Sequence, residues 1–216
     1  MIGRNGRPSP LCTTMARAKP NKELRASILD EARQTLVAEG YRALSMRRIA
    51  RAVGCTATSI YLHFRDKDDL LHALIHEGLE RLHEQLLSAA DGVDDPRRRC
   101  ERLCRSYLEF ALENREYYEV IFSLHPEHMK RYPQALYRRA RGNLEFFADA
   151  MCAAAGRPGE RTELDYLHAH VIWAQLHGAI ALNLTERVDF RIDVLEFLDA
   201  AVKNALRAIP IQEEQE

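Results

Sequence analysis

Residues 44–71 read LSMRRIARAVGCTATSIYLHFRDKDDLL. Ser45 precedes a run in which Met46, Ile49, Ala50 and Val53 recur at the spacing of a short amphipathic helix, and Gly54 stops it. Thr56 then caps a second helix whose apolar side is Ile60, Tyr61 and Phe64. A helix-turn-helix needs two short helices at a steep angle, a tight turn containing glycine, and small polar residues opening the second helix. Ala50 is small where the two helices must approach, and Gly54 provides a turn that a Cβ would penalise. Thr56, Ala57, Thr58 and Ser59 lie at the N-terminal end of the second helix, where unpaired N–H groups favour phosphate.

On either side the pattern stays helical. Asn21 caps a helix in which Leu24, Ile28, Ala32 and Leu36 recur, and Gly40 ends it. Asp66, with Asp69 three residues on, forms a box-like cap for a long helix whose leucines hold one face until Gly92. Asp95-Pro96 opens a helix to about residue 114, because proline suits the first helical turn. Further helices are expected over 117–123, 133–155, 162–184 and 192–208. No segment alternates with period two, so the expected fold is all-α, with about nine helices and no sheet. The expected organisation is a flexible basic arm over 1–20, a DNA-binding helix-turn-helix domain over 21–66, a helical effector-binding and dimerisation domain over 67–210, and a tail over 211–216. Met15 is a candidate start, since the pattern begins only after it.

Charge is distributed unevenly. Residues 1–65 carry 12 Lys and Arg against 4 Asp and Glu, a net +8, while the remainder is −9. A basic head on an acidic body points to a polyanion at the head alone. No stretch reaches membrane-spanning length without polar interruption, and no apolar leader opens the chain. Five cysteines at no framework spacing suit a reducing cytoplasm.

The 44–71 segment resembles the DNA-binding region of TetR-family regulators. Ser45, Arg47, Ile49, Ala50, Gly54, Thr56, Ile60, Tyr61, His63, Phe64, Lys67 and Leu70 follow that family's pattern in order, some by conservative exchange. The helix before Gly40 fits as well, so the resemblance covers residues 22–72. Trp173 to Gly178 is similar to the W-x-x-x-H-G motif of one C-terminal subclass. Thr58 stands where many members have glycine or proline, Cys55 replaces a usual valine, and Val53 a usual alanine. The resemblance implies a DNA-binding regulator rather than an enzyme, with a repressor expected. Chemistry and resemblance together place Ser45, Arg47, Tyr61, His63 and Lys67 on phosphates, and Thr56, Ala57, Thr58 and Ser59 at base edges. Phe64 is expected in the core.

In the body, Tyr107, Phe110, Tyr118, Phe122, Phe146 and Trp173 supply aromatic surface for a small-molecule effector, with His125 and His177 to orient a polar group. The last two long helices are apolar on more than one face, which implies burial on both sides. A partner copy is the simplest cover, with Leu167, Ala174, Gly178, Ala181, Leu195, Leu198 and Val202 at the interface of a four-helix bundle. The expected partners are therefore double-stranded operator DNA, a second copy and an effector, with no membrane. His72 and His76, four apart, supply only two ligands, so no metal and no other cofactor is expected. Cys100 and Cys104, also four apart, read as packed thiols with a redox pair as the alternative. Two other functions compete: a helical enzyme or carrier with a vestigial N-terminal motif, and a dimeric protein-interaction module. No catalytic signature supports the first.

Overall fold

A computed structural model describes residues 21–122, 134–207 and 209, the side chains of 134–137 excepted. The expected arm, the tail and His125 lie outside the described residues. Within them the chain forms α1 (Asn21–Glu39), α2 (Met46–Val53), α3 (Ala57–Tyr61), α4 (Lys67–Ala90), α5 (Pro96–Glu113), α6 (Arg115–Phe122), α7 (Gln134–Ala154), α8 (Glu163–Leu184) and α9 (Val194–Arg207). A 3-10 turn over Tyr41–Ala43, which the periodicity does not announce, joins α1 to α2. The described residues contain no strand. The helix expected over 117–123 begins two residues earlier, and the last begins two residues later.

Local chemistry sets most boundaries. The Asp66 carboxylate accepts from the Asp69 N–H (2.8 Å) and the Asp95 carboxylate from the Arg98 N–H (2.6 Å). Each satisfies a helix-start donor that has no partner within its helix. The Asp69 carboxylate reaches back past the cap to the Arg65 N–H (3.0 Å). Asp165 accepts from both the N–H and the hydroxyl of Thr162, at 2.7 and 2.8 Å.

The three N-terminal helices enclose a small core of Ile28, Ala32, Ile49, Ala50, Ile60 and Phe64, none more than 3% exposed. α4 threads from this head into the body. Its Leu70, Leu74, Leu79, Leu82 and Leu86 are all buried in the core, and the helix packs on α1 in the head and on α5, α6 and α7 in the body. A second bridge joins α1 to α6: Arg33 pairs with Glu116 and lies over the Tyr117 ring, 4.9 Å from its centre. α6 also packs tightly on α4, where Gly78 admits Ile121 and the Tyr117 ring. α8 and α9 pack on each other and on α5 at the far end. No helix among the described residues is long and apolar enough to cross a membrane.

Candidate nucleic-acid interface and effector cavity

The turn between α2 and α3 is made by Gly54 at φ 78°, ψ 30°, with its N–H and that of Cys55 returning to carbonyls of α2. That geometry sets α3 on the outside of the head. Ile60 and Phe64 point inward, at 0% and 2% exposure. Thr56, Ala57 and Thr58 are exposed, Ser59 is half-buried, and Tyr61 is 51% exposed. The Thr56 hydroxyl is already engaged: it accepts from the Ser59 N–H (3.0 Å) and lies 2.8 Å from the Ser59 hydroxyl. Thr56 thus holds the helix start, and Ala57 and Thr58 are exposed on the first turn.

Around this helix, Ser45 and Arg47 are exposed, and the Ser45 hydroxyl makes no capping hydrogen bond. Arg48 is held by Glu39 through both guanidinium nitrogens, whereas Arg51 is exposed with no acidic partner among the described residues. His63 is half-buried beside Phe64. The Lys67 ammonium sits 3.7 Å from the centre of the Tyr41 ring, and burial lowers its pKa. Tyr41 in turn hydrogen-bonds Asp68. This aromatic shelf was not read from the sequence, because the two residues are 26 positions apart in the chain. Leu62, 82% exposed at the end of α3, was also missed. Its position between inward Ile60 and inward Phe64 was the available signal.

Behind the head, α4, α5, α6, α7 and α8 enclose a cavity of about 400 Å³. Of the residues expected there, Tyr107, Phe122 and Trp173 line it. Phe110 is fully buried in the core and does not face it, and Phe146 lies on another surface beside His83. Tyr118 and His177 stand behind Phe122, with ring centres 4.8 and 5.2 Å from it. The walls gain Leu79, Leu82 and Leu86 from α4, and Leu144 and Phe147 from α7. Leucines on a long helix read as plain core, so sequence gave no reason to single them out.

Two hydrogen bonds lie behind the aromatic wall. Trp173 Nε1 donates to the Tyr107 hydroxyl (2.9 Å), the Tyr107 and Tyr118 rings meet edge-on with centres 6.3 Å apart, and the Tyr118 hydroxyl is hydrogen-bonded to His177 Nδ1. Burial pushes the Tyr118 phenol up to about 12 and that of Tyr107 well above its ordinary value. Burial also lowers the His177 pKa, which suits an accepting, neutral ring.

The outer face of α8 carries Leu164, Leu167, Val171, Ala174, Gly178 and Leu182, all exposed, with Ala181 half-buried. Leu195 of α9 is 74% exposed and Phe190, just before it, 94%. Leu198 and Val202, expected at an interface, are instead 5% and 0% exposed within the chain. They lie on the side of α9 that packs against its own body, so they present nothing to a partner. Cys100 and Cys104 are buried, and burial raises both thiols to about 12, which leaves them protonated and unreactive. Among the described residues no three His, Cys, Asp or Glu side chains gather as a metal site.

Two family models match this chain. "Bacterial regulatory proteins, tetR family" matches residues 28–74, and "Tetracyclin repressor-like, C-terminal domain" matches residues 100–205. The chain belongs to the TetR family of bacterial regulatory proteins. It is 43% identical over 58 residues to an HTH-type transcriptional repressor of Mycobacterium tuberculosis, covering 27% of this chain and 31% of that protein. It is 27% identical over 103 residues to the HTH-type transcriptional activator FasR of Mycolicibacterium smegmatis, covering 48% and 47%. The chain thus spans between about a third and a half of these curated relatives. A solved structure of a protein of unknown function from Rhodococcus sp. RHA1 shares the fold, with a TM-score of 0.73 at 24% identity over 93% of this chain and 99% of that one. Both family models describe regulators, not enzymes.

Proposed function

We propose that this chain is a DNA-binding transcriptional repressor that acts as a homodimer in the cytoplasm and leaves its operator when a small molecule enters the body. In this reading residues 21–66 form the DNA-binding unit and 67–210 the effector-binding and dimerisation unit. The observation that carries it is the outward placement of α3, with Ala57, Thr58 and Tyr61 exposed on a closed apolar core. Such a helix enters the major groove with its first turn toward the bases. Thr56, Ala57, Thr58 and Ser59 would face base edges, where a hydroxyl pairs with donors or acceptors and a methyl meets thymine. Ser45, Arg47, Tyr61, His63 and Lys67 would hold the flanking phosphates, fixing register without reading sequence.

The exposed apolar faces of α8 and α9 support dimerisation. Pairing them across a twofold axis gives a four-helix bundle and sets two α3 helices about one DNA turn apart, roughly 34–36 Å, on a near-palindromic operator. Occupying an operator excludes other proteins from it, which is repression in its simplest form.

The cavity supports the effector, and two elements tie it to the head. α4 lines it with leucines and packs against α1 of the head, and α6 brings Phe122 to it while Tyr117 and Glu116 hold Arg33 of α1. An effector acts only through unequal affinity for the two shapes. A coupling of about 1–3 kcal/mol lowers DNA affinity roughly 5- to 150-fold. The test is a gel shift with DNA flanking the chain's own gene. A retarded band is expected, and Arg47→Ala with Tyr61→Ala should abolish it. If no such DNA is retarded, or the double variant binds as the natural chain does, the reading is lost.

A further inference from the structure

The walls of the body cavity say what kind of molecule fits it. We propose that it takes a monoanionic amphiphile: an apolar body held among α4, α5, α6 and α7, with one carboxylate-like head at Arg141. The proposal rests on the effector reading above and names the chemical class of that effector.

The interior offers a ligand almost nothing but carbon. Leu82, Leu86, Leu144, Phe147 and Phe122 form most of the surface. Apart from Arg141 and His170, an exposed residue whose Nδ1 lies 2.9 Å from the Tyr166 carbonyl, the polar side chains of the wall are hydrogen-bonded within the protein. Trp173 Nε1 is taken up by the Tyr107 hydroxyl (2.9 Å). The Asn143 amide lies 2.7 Å from His83 Nδ1 through Oδ1, and its nitrogen donates to the Leu79 carbonyl (3.4 Å). A ligand with polar groups along its body would have to break one of these bonds or bury its own groups unpaired, and both are unfavourable. An apolar body breaks none.

The charge is asymmetric as well. No Asp or Glu lines the cavity among the described residues, and Arg141 does. Arg139, two positions earlier on α7, is neutralised by Glu80 at 2.5 Å. Arg141 is solvent-exposed with no ion pair among the described residues. The cavity thus ends at a guanidinium with no ion pair among the described residues, and its planar fork suits a carboxylate. A cationic head would be repelled by Arg141. A space of about 400 Å³, filled at protein-like density, accommodates on the order of a dozen carbons.

The experiment uses the purified full chain without DNA. The chain has a single tryptophan, Trp173, and it lines the cavity, so its emission reports occupancy. The probes are dodecanoate, 1-dodecanol and dodecyltrimethylammonium, each below its micelle concentration. Dodecanoate should bind about tenfold more tightly than the alcohol, the increment of one charge-assisted contact, and the cation should be weakest. Arg141→Gln, at an exposed position, should bring dodecanoate down to the affinity of the alcohol. Ala140→Phe, which fills the cavity, should remove the response to all three. Equal binding of acid and alcohol, tightest binding of the cation, or an unaffected Arg141→Gln variant would overturn the anionic assignment and leave an effector cavity of other chemistry. No response to any probe, or an unaffected Ala140→Phe variant, would remove the amphiphile altogether. Operator binding is read in a separate gel shift, so none of these outcomes depends on it.

Discussion

Single side chains decide what the head can offer to DNA. Arg47 and Arg48 are neighbours in sequence, yet Arg48 is bound by Glu39 while Arg47 is exposed with no acidic partner among the described residues. The same contrast separates Arg139 from Arg141 in the body. Gly54 holds a left-handed conformation that any Cβ would strain, although the space beside it is open. Gly54→Ala should therefore destabilise the chain by about 1–2 kcal/mol through backbone strain alone. Urea denaturation measures this, and an unchanged midpoint would contradict it. The glycine was legible in sequence because its requirement is local. The seat of Lys67 on Tyr41 was not, because it depends on how α4 leaves the head.

Elements begin where a carboxylate or hydroxyl meets unpaired N–H groups, and those starts are legible to within a residue or two. Asp66, Asp95 and Thr162 each mark one. Asp165 shows the energetics. Burial works to raise its carboxyl, but hydrogen bonds from Arg157 and Thr162 outweigh that and hold its pKa below the ordinary aspartate value. A carboxylate with a depressed folded pKa stabilises the fold above its unfolded value, and the benefit disappears as pH falls through the folded one. Asp165→Asn should thus lower stability at pH 7 by about 1 kcal/mol, the usual worth of a helix cap. The gap to the natural chain should narrow below about pH 4, where the aspartate of the unfolded chain takes up a proton, and close as pH falls through the lower folded value. Thermal unfolding between pH 3 and 7 reads both effects, and a gap independent of pH would refute the account. The turn over Tyr41–Ala43 escaped the sequence reading because three residues carry no periodicity.

At the scale of the whole molecule, the question is which apolar surface is left uncovered. Leu164, Leu167 and Val171 are 53%, 57% and 42% exposed along one side of α8, and Leu195 adds to them from α9. Leaving such a stripe in water is unfavourable, and a matching stripe on a second copy removes it. Replacing Leu167 and Val171 by Glu should yield a monomer in sedimentation, with a helical content unchanged in circular dichroism. DNA affinity should fall at least about tenfold, because one head then binds without its twin. A variant that stays dimeric would move the interface elsewhere.

The all-helical class, the helix-turn-helix, most helix starts and the division of charge were written in the sequence, since each depends on neighbours within a few positions. Which face of each helix is covered was decided only by tertiary packing. Two helices apolar on several faces gave no means of telling Leu195, which is exposed, from Leu198, which is buried. The cavity was equally hidden: its walls join residues of five helices, and only their three-dimensional arrangement leaves space between leucines that otherwise read as core. Periodicity records how far a residue lies around its own helix, not what stands opposite it.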